Sequence, residues 1–137
     1  MNKRFEDKVA IVTGGASGIG RVVAETFARE GAAVVVATDA NIQGAEETVA
    51  SIEAAGGRAM FVQCDVSKES EVETLVNACV ATYGRLDCAF NNAGVGPDGR
   101  RFPLINIVDT PEDVWDRTVD VNLKGVFLCM KYEMKQM

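Results

Sequence analysis

The sequence predicts an α/β fold built on a doubly wound parallel sheet, and three observations carry that reading. Short apolar, β-branched runs alternate along the chain with segments of helical spacing. A glycine-rich turn, Thr13-Gly-Gly-Ala-Ser-Gly-Ile-Gly20, joins the first run to the first helix. Each run also ends in polar residues: Thr13-Gly14, Thr38-Asp39, Cys64-Asp65 and Asn91-Asn92. With four strands separated by helices, the expected strand order is 3-2-1-4. Ligands would then collect beyond the carboxyl ends, beside the first strand.

The elements follow in order. Val9 to Val12 reads as a strand buried on both faces, broken by Thr13 and Gly14. From about Ser17 the spacing is helical, with Ile19, Val23 and Phe27 on one face and Ala24 and Ala28 beside them. Gly31 follows the last turn, where a cap favours positive φ. Ala32 to Thr38 is the second strand, and Asp39 and Asn41 form a turn. The next helix aligns Ala45, Val49 and Ile52 and ends at Gly56-Gly57.

Arg58 to Gln63 is the third strand. Ser67 can cap the following helix, and Ser70-x-x-Glu73 offers a capping box one turn later. The apolar stripe of that helix is Val72, Leu75, Val76, Cys79 and Val80, and Gly84 stops it. Arg85 to Phe90 is the fourth strand, ending at Asn91-Asn-Ala-Gly94. A looser stretch holds Gly96-Pro-Asp-Gly99 and the basic pair Arg100-Arg101. Thr110 as N-cap, Pro111 at the first helical position and Glu112-Asp113 then open a helix expected to run to the end.

Composition bounds the function. With 137 residues, 47% hydrophobic and 25% charged, the chain suits one soluble domain with a real core. A net charge of −6 argues against nucleic acid or an anionic membrane as partner. Cys64, Cys79, Cys88 and Cys129 include no C-x-x-C pair, and the chain has no histidine, which excludes a histidine-based triad and argues against any metal site. Scattered thiols and a polar N-terminus with no signal-peptide pattern predict a reduced, cytoplasmic setting.

Strand, glycine turn and helix start make a phosphate-binding geometry. The first helical N–H groups lack intrahelical partners, and the helix dipole adds partial positive charge there. Gly14, Gly18 and Gly20 lack Cβ atoms, so a pyrophosphate can approach the backbone. The spacing is G-x-x-x-G-x-G, and no Gly-Lys-Ser/Thr follows, which excludes a P-loop.

Asp39 can accept hydrogen bonds from an adenosine ribose and repel a 2′-phosphate, near the fingerprint distance of ~20 residues from the glycines. Its alternative use is a helix cap or turn. Asp65 can meet an adenine amino group, or simply make an Asx turn leading into Ser67. Asn91 and Asn92 can brace the fourth strand exit against the first while Ala93-Gly94 lets a cofactor pass close. An Asn-rich turn alone is the other possibility.

Thr13-Gly-Gly-Ala-Ser-Gly-Ile-Gly20, Asp65-Val66, Asn91-Asn-Ala-Gly94 and Asp120-Val-Asn-Leu-Lys124 together resemble the ordered motifs of the short-chain dehydrogenase/reductase family. The similarity runs from Lys8 to the end. It implies a Rossmann-type fold, NAD or NADP as cofactor, hydride transfer to or from an alcohol or carbonyl substrate, and a homodimer or homotetramer. By position, Gly14, Ser17 and Ile19 would contact the pyrophosphate and Asp39 the ribose. Asp65 and Val66 would meet the adenine. Asn92, Ala93 and Gly94 would line the cofactor channel. Asn122 matches the family's helix asparagine, which holds a water in the proton relay, and between Val121 and Leu123 on a core-facing stretch it needs a partner.

Two departures stand out. Many NAD-preferring members place the acid where Thr38 stands, and many NADP-preferring members an arginine where Asp39 stands. An acid at position 39 still disfavours a 2′-phosphate, so NAD is expected over NADP. The family's Ser and Tyr-x-x-x-Lys set, where lysine lowers the pKa of a tyrosine acid/base, has no counterpart. Tyr132 and Lys135 are three apart and share a helix with Asn122. The expectation is a curtailed cofactor-binding part, inactive alone. The alternative is a non-catalytic dinucleotide-binding module. Val119, Leu123, Phe127 and Met130 would need cover, and the fourth strand would be an open edge.

Overall fold

A computed structural model describes residues 2–96 and 105–137. The Gly96-Pro-Asp-Gly99 turn, apart from Gly96, and the Arg100-Arg101 pair lie outside them. Four strands, β1 (Val9–Thr13), β2 (Ala33–Thr38), β3 (Arg58–Gln63) and β4 (Cys88–Asn91), form one parallel sheet in the order β3-β2-β1-β4. The predicted order is therefore observed. The helices are α1 (Gly18–Arg29), α2 (Ile42–Ala54), α3 (Glu69–Tyr83), α4 (Glu112–Val119) and α5 (Gly125–Gln136). A 3-10 turn at Ile107–Asp109 precedes α4, and a π-helical segment, Asp120–Lys124, joins α4 to α5.

Alternation along the strands builds two cores. Val9, Ile11, Ala33, Val35 and Ala37 face α3 and α5, meeting Val72, Leu75, Cys79, Leu128 and Cys129. Val12, Val34 and Val36 face the other way, onto Ala24, Ala28, Ala45 and Ile52. β1 and β2 are thus covered on both faces, which is why their sequences are continuously apolar rather than alternating.

Several local expectations give way to competing contacts. The buried stripe of α1 is Gly20, Ala24 and Ala28, not one centred on Ile19, which is 61% exposed. Small residues win because they let the helix axis lie close to the sheet. Ser67 does not cap α3; its hydroxyl and amide both donate to Asp65 Oδ1, at 2.6 and 3.0 Å. Lys68 holds the cap position without a side-chain bond, so the Ser70–Glu73 box falls inside the first turn. Pro111 takes the cap position of α4, while Thr110 Oγ1 donates to Asn106 O.

The fourth strand starts late. Arg85 makes a bidentate pair with Asp87 (2.6 and 2.8 Å), whose Oδ2 accepts from Val9 N at 2.9 Å. Those side chains clamp the entry of β4 to that of β1 and displace the ladder to Cys88. Cys64, Cys79 and Cys129 are buried, and burial pushes their thiols up to about 12, 11 and 12. They are un-ionised packing residues at neutral pH. Among the described residues, no helix is long and apolar enough to cross a membrane.

Candidate functional site

The glycine turn lies at the carboxyl end of β1, in the middle of the sheet. Gly14 N donates to Ala37 O at 2.8 Å, fixing the turn against β2. Gly14 has φ +68° and Gly18 φ +52°, left-handed conformations that favour glycine. The closest approach is at Gly20, where an added Cβ would stand 2.0 Å from the carbonyl oxygen of Gly14 and 2.8 Å from Asn92 Nδ2. Only backbone can lie against backbone there.

Ser17, Gly18 and Ile19 are exposed, so the amides at the start of α1 face solvent. The Ser17 side chain makes no capping bond, which leaves the first orphan N–H groups free for a ligand.

The β4 exit is pinned to this turn by Thr13, which the sequence marks as a polar strand end without assigning its side chain a partner. Thr13 is 1% exposed, and its Oγ1 accepts from Asn92 N at 3.0 Å and Ala93 N at 3.1 Å. Asn92 Nδ2 reaches Gly14 O at 3.4 Å. Asn92 therefore braces the fourth strand against the first, as expected. Asn91 does not, because strand alternation turns it the other way, onto α5. Ala93 and the exposed Gly94 leave a wall without bulky side chains, and an added Cβ on Gly94 would meet Asn122 Oδ1 at 3.3 Å.

Asn122 was expected to face the core; its residue is exposed instead. It still finds partners: Oδ1 accepts from Val95 N and Nδ2 donates to Val95 O, both at 2.8 Å. The π-helical segment sets this direction, since one extra residue per turn rotates the following side chains. Tyr132 donates its hydroxyl to Glu69 Oε1 at 3.0 Å, on the α3 side of the molecule.

The acids gather at the other end of the cleft. Asp39 does not cap α2; Asn41 does, accepting from Gly44 N at 3.0 Å. Asp39 Oδ2 instead accepts from Arg117 Nη2 at 3.2 Å, and Asp65 Oδ2 from Arg117 Nη1 at 3.0 Å. Burial pushes the Asp65 carboxyl up, but hydrogen bonds from Ser67 and the Arg117 guanidinium outweigh it and hold the carboxyl below its ordinary value. Asp65 also makes the Asx-type bond to Ser67 N. One cleft is lined by Gly14, Asp39, Asp65, Val66, Ala93, Gly94 and Val121. Arg117, in the last turn of α4, carried no sequence signal that separates it from a helix-end cation.

A family model described as short chain dehydrogenase matches residues 8–137. The chain belongs to the short-chain dehydrogenase family. Its similarity extends to tropinone reductase-like 2 of Erythroxylum coca, 46% identical over 136 residues, 99% of this chain and 47% of that protein. Borneol dehydrogenase of Lavandula x intermedia is 46% identical over 98% of this chain and 48% of its own length. A solved short-chain dehydrogenase of Burkholderia cenocepacia, in complex with NADP, superposes with a TM-score of 0.89 at 32% identity, covering 98% of this chain and 52% of that one. The chain thus spans about half the length of the short-chain dehydrogenases it matches, and its parallel sheet is the Rossmann-type arrangement that the motifs imply.

Proposed function

We propose that this chain is the dinucleotide-binding domain of an oxidoreductase that moves hydride between NAD and an alcohol or carbonyl compound. The observation that carries the proposal is the solvent-open start of α1 over a turn in which Gly14 and Gly20 touch backbone to backbone. A Cβ at Gly20 would run into the Gly14 carbonyl and one at Gly14 into Asn92 and Ala93, so the glycines keep the turn that presents the α1 amides, and the residues present fit a dinucleotide.

The amides of Gly18, Ile19 and Gly20 would hold the pyrophosphate, with the Ser17 hydroxyl beside them and Gly14 giving room. Asp39 would accept from the ribose, and Asp65 and Val66 would border the adenine. Asn92, Ala93 and Gly94 would line the channel toward the nicotinamide, held in place by Thr13. When bound, the cofactor supplies the hydride donor or acceptor. Asn122 keeps one lone pair and one N–H beyond its Val95 bonds, enough to hold a water for a proton relay.

These 137 residues contain no counterpart of the family's Ser and Tyr-x-x-x-Lys set, which favours binding without turnover by the chain as it stands. The exposed side chains of Leu123 in the π-helical segment and of Phe127 and Met130 in α5 support assembly with a second copy, and the thiols a reducing cytoplasm. Calorimetric titration with NAD, NADP and ADP-ribose tests the reading. NAD and ADP-ribose should bind and NADP more weakly; silence from all three ligands would sink it.

A further inference from the structure

An acid at the end of β2 is expected to disfavour a 2′-phosphate, yet Asp39 does not stand alone. Arg117 bridges it to Asp65 across the mouth of the adenosine end, with 3.2 Å to Asp39 Oδ2 and 3.0 Å to Asp65 Oδ2. Its Nη1 also donates to Ser67 Oγ at 2.9 Å, so three partners fix the guanidinium plane. Nearby Glu71 is occupied by Lys68 at 3.4 Å and accepts from Asp65 N at 2.6 Å. Among the described residues, Arg117 is the cation that reaches Asp39.

We propose that Arg117 is a specificity-determining residue: by neutralising Asp39 from α4, it relaxes the discrimination against NADP that the carboxylate would otherwise impose. The proposal rests on the reading that Asp39 meets the adenosine ribose. Two carboxylates and one guanidinium leave the lip of the cleft one negative charge instead of two. A guanidinium is also a strong donor to phosphate oxygens. Asp39 Oδ1 has no partner among the described residues, so it can accept from a ribose hydroxyl while Arg117 keeps Oδ2. NAD therefore meets an oriented acceptor, and NADP meets a carboxylate whose repulsion is largely cancelled.

The test is calorimetric affinity for NAD and NADP on the full chain, wild type, Arg117→Gln, Arg117→Lys and Asp39→Asn, at low and high salt. Arg117→Gln should weaken NADP about tenfold and NAD by less than about threefold, with the gap closing at high salt. Arg117→Lys should keep most of the wild-type ratio, because it restores the charge. Asp39→Asn should strengthen NADP relative to NAD. An equal loss of both nucleotides in Arg117→Gln would make Arg117 a structural brace and overturn the proposal while leaving the nucleotide reading intact. An unchanged ratio in Arg117→Gln would overturn it in the same way. If wild type binds neither nucleotide, the ribose reading fails and this inference falls with it.

Discussion

Asn91 Nδ2 donates to Glu133 Oε2 at 2.8 Å, while Asn91 Oδ1 and Glu133 Oε1 lie buried with no hydrogen-bond partner among the described residues. Glu133 is 3% exposed, and burial pushes its carboxyl above the ordinary value, with the Asn91 bond pulling back. A proton on Glu133 supplies the donor that these two stranded acceptors lack.

The pH dependence follows from the direction of that shift. A folded-state pKa above the unfolded one means stability is fully present below the unfolded value and is lost as pH rises through the folded value. Glu133→Gln removes the titration and keeps a donor, so its melting temperature relative to wild type should climb between pH 5 and pH 8. Parallel melting curves across that range would refute a neutral Glu133. Glu133→Ala should cost about 1–3 kcal/mol at pH 5, because it strands the Asn91 amide, and less as pH rises.

Gly20→Ala and Gly56→Ala separate close approach from backbone conformation. The first puts a Cβ 2.0 Å from the Gly14 carbonyl oxygen; the second has φ +83° and open space around it. Gly56→Ala should cost about 1 kcal/mol and leave nucleotide affinity alone. Gly20→Ala should abolish NAD binding and lower the denaturation midpoint much further. Equal effects in chemical melts and titrations would remove the cradle from consideration.

Thr13→Val keeps shape and deletes the oxygen that accepts from Asn92 N and Ala93 N. Ala93 N loses its partner and Asn92 N keeps only Phe90 O at 3.1 Å, an expected cost of about 1–3 kcal/mol with weaker NAD binding, while Thr13→Ser stays near wild type. Urea melts of the three proteins check this; a Thr13→Val protein as stable as Thr13→Ser would show that the hydroxyl is dispensable.

Leu123 in the π-helical segment and Phe127, Met130 and Met134 of α5 line one apolar face, with Phe127 60% exposed and Met134 67%. Sedimentation at micromolar concentration should find associated species for the wild-type chain and monomer for Phe127→Glu. A wild-type chain that sediments as a monomer at every concentration would contradict assembly through this face.

The sheet was readable because its signals are local: β-branched runs, glycine stops and helical spacing each need only a few neighbouring residues. Strand order and the glycine turn followed from that alternation. The cleft was readable only in part. Asp39 could be placed at the end of β2, but its partner lies 78 residues away on α4, beyond the reach of any local pattern. Thr13 looked like a strand end because its role depends on amides from β4. Asn122 was assigned to a buried stretch because helical periodicity assumes a regular helix, and the π-helical segment breaks that assumption. The α1 stripe was misplaced by weighting side-chain size over proximity, since alanine and glycine bring the helix closer than isoleucine permits.

The contact between Gly14 and Gly20 has a consequence for redesign. Main-chain atoms offer no handle that substitution can adjust, so a diphosphate seat at this turn would be fixed hardware, common to every nucleotide placed there. On the proposed reading, preference between one dinucleotide and another would be engineered on the periphery, where Asp39 and Arg117 offer replaceable side chains at the lip of the cleft.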